Sequence, residues 1–361
     1  MVIFDLPWDL VEEILFRVSG ISLRRLQFTC KRGNTLCNDF IKKHLDKAAK
    51  QHSVLMLRNF RVYSLSVNLN EIHNNTVVDP SIEITSKLSR SLNESEQVDI
   101  TQVFHCNGLL LCSIKEDTKT KLMVVNPCTG QTRWIEPRSV YYDRYVLGYA
   151  NNNKESYESY KILRFPYDDS QLEIFDLKSN SWRVLDNKNL HTYEKGVSLK
   201  GNAYWISYLD DFLSFDFSKE RCRRLCLPFP KQNSYVIALS VFREEKLFLL
   251  HGSFSGCNTK QIKIWVSNKI DDTKISWSIS FTFDLCGQFD HHLHSPVSFL
   301  IDEEKKVVVT CGRSVEKNKN MIHIVTEHGC RKFDYDTDQS NHCCPFLFSY
   351  VPSLVSLNPP M

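Results

Sequence analysis

The sequence predicts two unlike parts, a small all-α unit over residues 1–50 and a large all-β repeat domain over residues 51–361. Three observations carry this. Apolar residues near the N-terminus recur at helical spacing. From Val103 onward, apolar arms alternate with short polar turns in successive hairpins. The turn centres Gly108, Asn152, Gly201 and Glu245 lie 44, 49 and 44 residues apart. A period of about 45 with four strands per unit is the pattern of a β-propeller blade. The expected fold is therefore β-propeller-like, built of antiparallel four-stranded units. An irregular hairpin-rich sandwich is the alternative, and the period favours the propeller.

In the first helix, Leu10, Val11, Ile14, Leu15 and Val18 form one apolar stripe. Pro7 stands where a helix starts, where the missing N–H had no partner to lose. Asp9, Glu12 and Glu13 suit the positive end of the helix dipole. Ser22 caps a second helix carrying Leu23 and Leu26, and a third region runs from Cys30 to Leu36. A fourth helix places Phe40, Ile41, His44, Leu45 and Ala48 on one face. So small a unit has little interior, so its stripe must be covered by the rest of the chain or by a partner.

The β-domain opens with strands at Val54–Leu57 and Val62–Val67. A polar excursion over 68–98 holds one strand near Ile82–Thr85. Two hairpin types then alternate. The first turns on Asn107-Gly108, a strong hairpin signal, and recurs over 197–206, 238–250 and 297–309. In the second, an apolar strand runs into Asn, Asp or Ser, turns, and returns through a strand often opened by Trp. It occupies 122–135, 172–185, 212–225 and 262–279. Val54–Val67 is expected to pair with strands around Phe346–Leu357 and close the ring.

Apolar content of 42% and charged content of 24% are those of a folded chain. A net charge of +3, spread along the chain, does not make the dense basic stripe that nucleic-acid binding needs. No window approaches the roughly 20 apolar residues of a spanning helix. Met1–Asp5 lacks a secretory n-region, so the expectation is a non-secreted protein of nucleus and/or cytoplasm. Thirteen scattered cysteines then read as reduced thiols.

Signals for chemistry are weak. His291, His292 and His294 have no carboxylate or thiol at ligand spacing, and Cys222, Cys226 and the His342-Cys343-Cys344 run lack matching half-sites. No phosphate loop or dinucleotide fingerprint occurs. No catalytic, cofactor or metal residue is assigned. Trp134, Trp182, Trp205, Trp265 and Trp277 are expected to pack between blades.

The ordered series Leu6-Pro7, Asp9-Leu10, Glu13-Ile14-Leu15, Ser22-Leu23, Leu26, Cys30-Lys31-Arg32 and Asp39-Phe40-Ile41 closely resembles an F-box. The region after it resembles the plant F-box-associated (FBA) interaction domain, type 1. The resemblance covers nearly the whole chain. It implies a non-catalytic, substrate-recognition adaptor of an SCF-type, cullin-based ubiquitin ligase. Leu6, Pro7, Leu10, Ile14, Leu15, Leu23 and Leu26 would dock on a Skp-type adaptor protein, and the β-domain would hold an unnamed target. It implies no cofactor, nucleic acid or membrane. Two departures stand out. Val18-Ser19 replaces the family's usual Leu-Pro, and Gly33 replaces a Trp after the Lys-Arg pair. Losing so large an anchor implies weaker adaptor binding.

Overall fold

The computed structural model describes residue 10 and residues 53–68, 81–87, 99–116, 119–138, 143–150, 159–166, 171–186, 196–207, 212–230, 234–242, 245–255, 259–271, 274–285, 293–314, 319–327, 329–334, 345–353 and 355–357. Strands among the described residues form six four-stranded antiparallel sheets, the blades of a β-propeller.

Strands β1 (Ser53–Arg58), β2 (Arg61–Asn68) and β3 (Ser81–Lys87) make up most of one blade. The first complete blade is β4 (Asp99–Cys106), β5 (Leu109–Glu116), β6 (Lys119–Asn126) and β7 (Gln131–Ile135). The second is β8 (Arg144–Ala150), β9 (Ser159–Phe165), β10 (Glu173–Asp176) and β11 (Ser181–Val184). The third is β12 (Val197–Leu199), β13 (Asn202–Ile206), β14 (Phe212–Asp216) and β15 (Arg221–Leu225). The fourth is β16 (Ser234–Phe242), β17 (Lys246–Ser255), β18 (Thr259–Ile270) and β19 (Ile275–Leu285). The fifth is β20 (Leu293–Asp302), β21 (Val307–Ser314), β22 (Lys319–Thr326) and β23 (Gly329–Asp334).

The last strand, β24 (Phe346–Tyr350), completes the sixth blade by pairing with β1, Leu55 opposite Phe348. The ends of the domain thus share one sheet, as the sequence led us to expect. The β22–β23 hairpin was not anticipated, although Met321–Val325 followed by Gly329 is a legible strand and turn.

The propeller core lies between blades, in five clusters that run round the ring. One spans blades one to three and includes Phe104, Leu147, Phe165 and Phe215. Others join blades three and four, four and five, five and six, and six and one. Each sheet is therefore apolar on both faces, and β5 reads as a near-continuous apolar run rather than an alternating one. Strands β4 and β12 also meet across the axis, where Ser198 Oγ donates to Cys106 Sγ at 3.1 Å.

Antiparallel order gives the ring two ends. The turns joining first to second and third to fourth strands lie at one, the turn end. The remaining loops and the blade-to-blade links lie at the other, the connection end. At the turn end, Asn126, Asp176 and Asp216 each accept two backbone N–H bonds two and three residues on. Four residues after each stands a residue of positive φ: Gly130, Asn180 and Glu220. This explains the recurring Asn or Asp, because such side chains mimic a backbone turn and stop the strand. Asn107-Gly108 and Lys200-Gly201 adopt the paired positive φ of a type I′ turn, whose twist matches the strands.

Candidate functional site

Of the residues expected to dock an adaptor, Leu10 is described. It is helical and 49% exposed. Leu6, Pro7, Ile14, Leu15, Leu23 and Leu26 lie outside the described residues, as do Val18, Ser19 and Gly33.

The ring places its polar machinery at the connection end of blades one to three. A small recess opens there, lined by Gln102 and Phe104 of β4, Ser113 of β5, Arg144 and Tyr145 of β8, and Trp205 of β13, among others. Its cavity volume is about 30 Å3, room for roughly two water molecules. The Phe165 and Trp205 rings pack edge to face, 4.9 Å apart between centroids, and form part of the wall.

Beside the recess lies a buried ionic cluster. Arg164 on β9 donates through Nε to Asp143 Oδ2 at 2.7 Å and through a terminal nitrogen to Glu173 Oε2 at 2.6 Å. Arg138 donates to the other Glu173 oxygen at 2.6 Å. Gln102 Nε2 donates to the Asp143 carbonyl at 3.4 Å and ties the first blade to the second. Burial opposes the Arg164 charge, but hydrogen bonds to Asp143 and Glu173 outweigh it and raise its pKa. Tyr145 donates to Asp143 at 3.4 Å. Burial, with the Asp143 charge, pushes that phenol above its ordinary range, so it stays protonated. None of these groups forms a nucleophile–base pair, and together they suit holding rather than reacting.

At the opposite end, the turn end, Lys161 and Arg183 of the second blade both reach Glu220 at the turn of the third, Lys161 at 2.7 Å. Burial would raise the Glu220 pKa, but the hydrogen bonds from Arg183 and Lys161 lower it.

The tryptophans divide. Trp205 is buried, and Trp182 packs on Tyr145 and Phe175 while its indole donates to the Glu136 carbonyl at 3.0 Å. Trp265 and Trp277 pack against the cluster between blades three and four. These four lie between blades as expected. Trp134 does not and is 48% exposed. It stands eight residues after its turn asparagine, whereas Trp182 stands six after its turn aspartate. Trp134 thus matches Val184, which is equally exposed, beyond the cover of the neighbouring blade.

Among the described residues no three His, Cys, Asp or Glu side chains converge as a metal site would require. His291, His292 and His342-Cys343-Cys344 lie outside the described residues. Cys222 is half-buried, with its thiol pushed up to about 12 by burial, and Cys226 is exposed. Sequence reasoning missed Arg164 and Glu173. The signal was there, since each is a charge inside an apolar run, Ile162-Leu163-Arg164-Phe165 and Leu172-Glu173-Ile174.

Comparison with known proteins agrees with this architecture. Residues 3–45 match the F-box domain, and residues 53–357 match the F-box associated beta propeller domain. An F-box/LRR-repeat/kelch-repeat protein of Arabidopsis thaliana is 52% identical, covering 100% of both chains. An F-box/kelch-repeat protein of the same plant is 43% identical over 99% of this chain and 96% of its own. Among solved structures, TolB from Acinetobacter baumannii covers 88% of this chain and 72% of its own at 14% identity, with a TM-score of 0.46. That likeness is too distant to bear on function. With an F-box match followed by a six-bladed ring matched over its whole length, the chain belongs to the F-box proteins that carry an F-box-associated β-propeller domain.

Proposed function

We propose that this protein is the target-holding subunit of an SCF-type ubiquitin ligase. The F-box helices lay Leu6, Pro7, Leu10, Ile14, Leu15, Leu23 and Leu26 against a Skp-type adaptor, and through it reach a cullin. Apolar anchors at helical spacing in an apolar groove are a recurring way to bind a helix. The propeller holds the target. The observation that carries this reading is the F-box match joined directly to the propeller match. Ring topology supports it. Strand β1 starts at the turn end, because Ser53 lies opposite Tyr350, whose hydroxyl donates to the Gly108 carbonyl. The chain therefore enters the ring at the turn end, and the connection end is the face we assign to a target.

The mechanism is proximity. Holding a target lysine near a charged ubiquitin carrier makes a bimolecular encounter effectively intramolecular. The bond-making residues belong to other subunits, and this chain is not an enzyme. We place it in the nucleus and/or cytoplasm, where that machinery operates. No helix among the described residues is long and apolar enough to cross a membrane.

The test is a pull-down of the purified full chain with a Skp-type adaptor. Wild type should bind, and L6A/P7A and I14A/L15A should not, while circular dichroism shows the β-domain intact. Absence of wild-type binding would overturn the ligase reading. Gly33 favours a second reading, in which adaptor binding is degenerate or serves a role outside a ligase. Gly33→Trp should then strengthen capture; unchanged capture removes that argument.

A further inference from the structure

We propose that the outer edge of the fourth blade pairs with the same edge of a second copy of this chain, along Ile275-Ser276-Trp277-Ser278-Ile279. The last strand of each blade is an edge, with backbone donors and acceptors in a row along its outer side. Such a row is a template for another strand, and proteins guard it by keeping the edge short or charged. Five of the six edges carry both guards. Strands β3, β7, β11, β15 and β23 have four to seven residues, and each holds at least one arginine or lysine. Strand β19 has 11 residues, and none from Ile275 to Phe283 is charged. Its Ile, Trp, Phe and Thr are strong strand formers. No described strand pairs with its outer side.

The edge names its own occupant. Residues 275–279 read the same in both directions, Ile-Ser-Trp-Ser-Ile. Antiparallel pairing of two copies about Trp277 therefore sets like against like. Ile275 lies opposite Ile279 of the second copy, Ser276 opposite its Ser278, and Trp277 opposite its Trp277. A bulge marks where this segment stops. Ile264 faces Phe281 and Trp265 faces Ile279, so Ser280 is an extra residue in β19. A bulge bends an edge away from pairing. This one falls directly after Ile279, so it ends the palindrome without interrupting it. The other irregularity, at Asn268, lies in β18 and leaves residues 275–279 consecutive.

Burial fits the same pairing. Ile275 and Trp277 pack toward the cluster between blades three and four, whereas Ile279 is 47% exposed. Pairing covers Ile279 with the second copy's Ile275, since directly opposite residues have Cβ atoms about 5 Å apart. On the other face Ser276 is exposed and Ser278 half-buried, and their hydroxyls meet across the two-fold axis. The contact uses one patch on both subunits, so it closes as a dimer and does not run on into a fibre. Two four-stranded blades become one sheet of eight. Five residue pairs bury less than the roughly 1,200 Å2 at which standard interfaces begin. The dimer should therefore be weak, with a Kd on the order of 100 µM.

The test is sedimentation velocity of the purified full chain from about 5 to 500 µM, a range that brackets the expected Kd. Wild type should pass from monomer to dimer. S276K/S278K sets lysine against lysine in both serine pairs and should stay monomeric at every concentration. S276K/S278D sets each new lysine against the second copy's new aspartate and should dimerise again. That rescue belongs to the register centred on Trp277, because a shift of one residue puts aspartate against aspartate. Thermal melts matching wild type show that the variants are folded. Should a double variant melt early, Ser276→Lys alone, at an exposed position, should raise the concentration of half-dimerisation. A wild type that stays monomeric to 500 µM overturns the proposal. So does a dimer indifferent to the lysine substitutions, or a folded S276K/S278D that stays monomeric. No adaptor or target is present, so the outcome is independent of the ligase role.

Discussion

The third and fourth blades are neighbours, yet they are held in different ways. Strands of the third blade have three to five residues, and those of the fourth have nine to twelve. The long blade is secured by its own hydrogen-bond ladders, with bulges in β16 and β18 taking up the twist. Short blades cannot make enough of those bonds. The second and third are instead tied to their neighbours by side chains: Gln102 to Asp143, Trp182 to Glu136, and Lys161 and Arg183 to Glu220. The lesson is that the buried charged groups, Asp143, Arg164 and Glu173, gather in the second blade, whose two outer strands have four residues each. The recess lies beside that cluster.

The sharpest way to break this contrast is Arg164→Met, which takes from the buried Asp143 and Glu173 the cation they share, leaving Arg138 on Glu173 and Tyr145 on Asp143. Removing one member of a buried ion cluster should cost about 3–5 kcal/mol, read from urea unfolding. A loss under about 1 kcal/mol, as for a surface pair, would mean that the short blades do not depend on their ties.

Asn126→Ala should cost less, about 2 kcal/mol, from a lost turn cap and lost bonds to half-buried carbonyls. Asn126 caps its own turn and donates to the Ser353 and Val355 carbonyls at 2.9 and 2.8 Å. Limited proteolysis should show the segment after β24 cut first in this variant.

Acid tests the fourth blade against the first. His105 in the first blade packs against Phe348 and Tyr350, and burial lowers its pKa to about 4. His251 in the fourth stacks on Phe229, and burial with the Lys263 charge likewise lowers it to about 4. In the unfolded chain both titrate near 6.5. The unfolded state therefore takes up protons first as pH falls. The stability tied to their neutral forms is whole above about pH 6.5 and declines as pH drops toward 4. His105→Gln and His251→Gln should each flatten that decline in thermal melts; an unchanged slope in both would exclude the histidines as its source.

The smallest expected difference lies at the turns. Asp176→Ala removes a side-chain cap and should cost about 0.5–1 kcal/mol. In the fourth blade the β18–β19 turn is closed by a backbone bond from Asp271 N–H to the Lys274 carbonyl, 2.9 Å. Asp271→Ala should therefore stay within about 0.5 kcal/mol. Equal losses in the two variants, by chemical denaturation, would erase the distinction between the two kinds of turn.

Most of the ring was legible because its information is local. Asn107-Gly108 needs no distant partner to form its turn, and Asn126, Asp176 and Asp216 stop their strands through bonds two and three residues away. The pairing of Val54–Val67 with the last strand was legible for another reason, since a ring with strands left at both ends must close. The recess was not legible. Gln102, Arg144 and Trp205 are separated by up to about a hundred residues and come from three blades, and no spacing rule relates residues whose neighbours are chosen by blade packing. Trp134 shows the limit from the other side, because the repeat gave its strand and face but not how far the next blade reaches.

The sequence by itself determined the alternation of strand and turn, the blade period and the family, because each is written in short-range chemistry or in an ordered series of residues. Only the tertiary structure decided which buried charges meet, which tryptophans are covered and which residues of three blades line one recess. Those outcomes depend on the rotation of one sheet against the next, which is settled by the packing of side chains far apart in the chain.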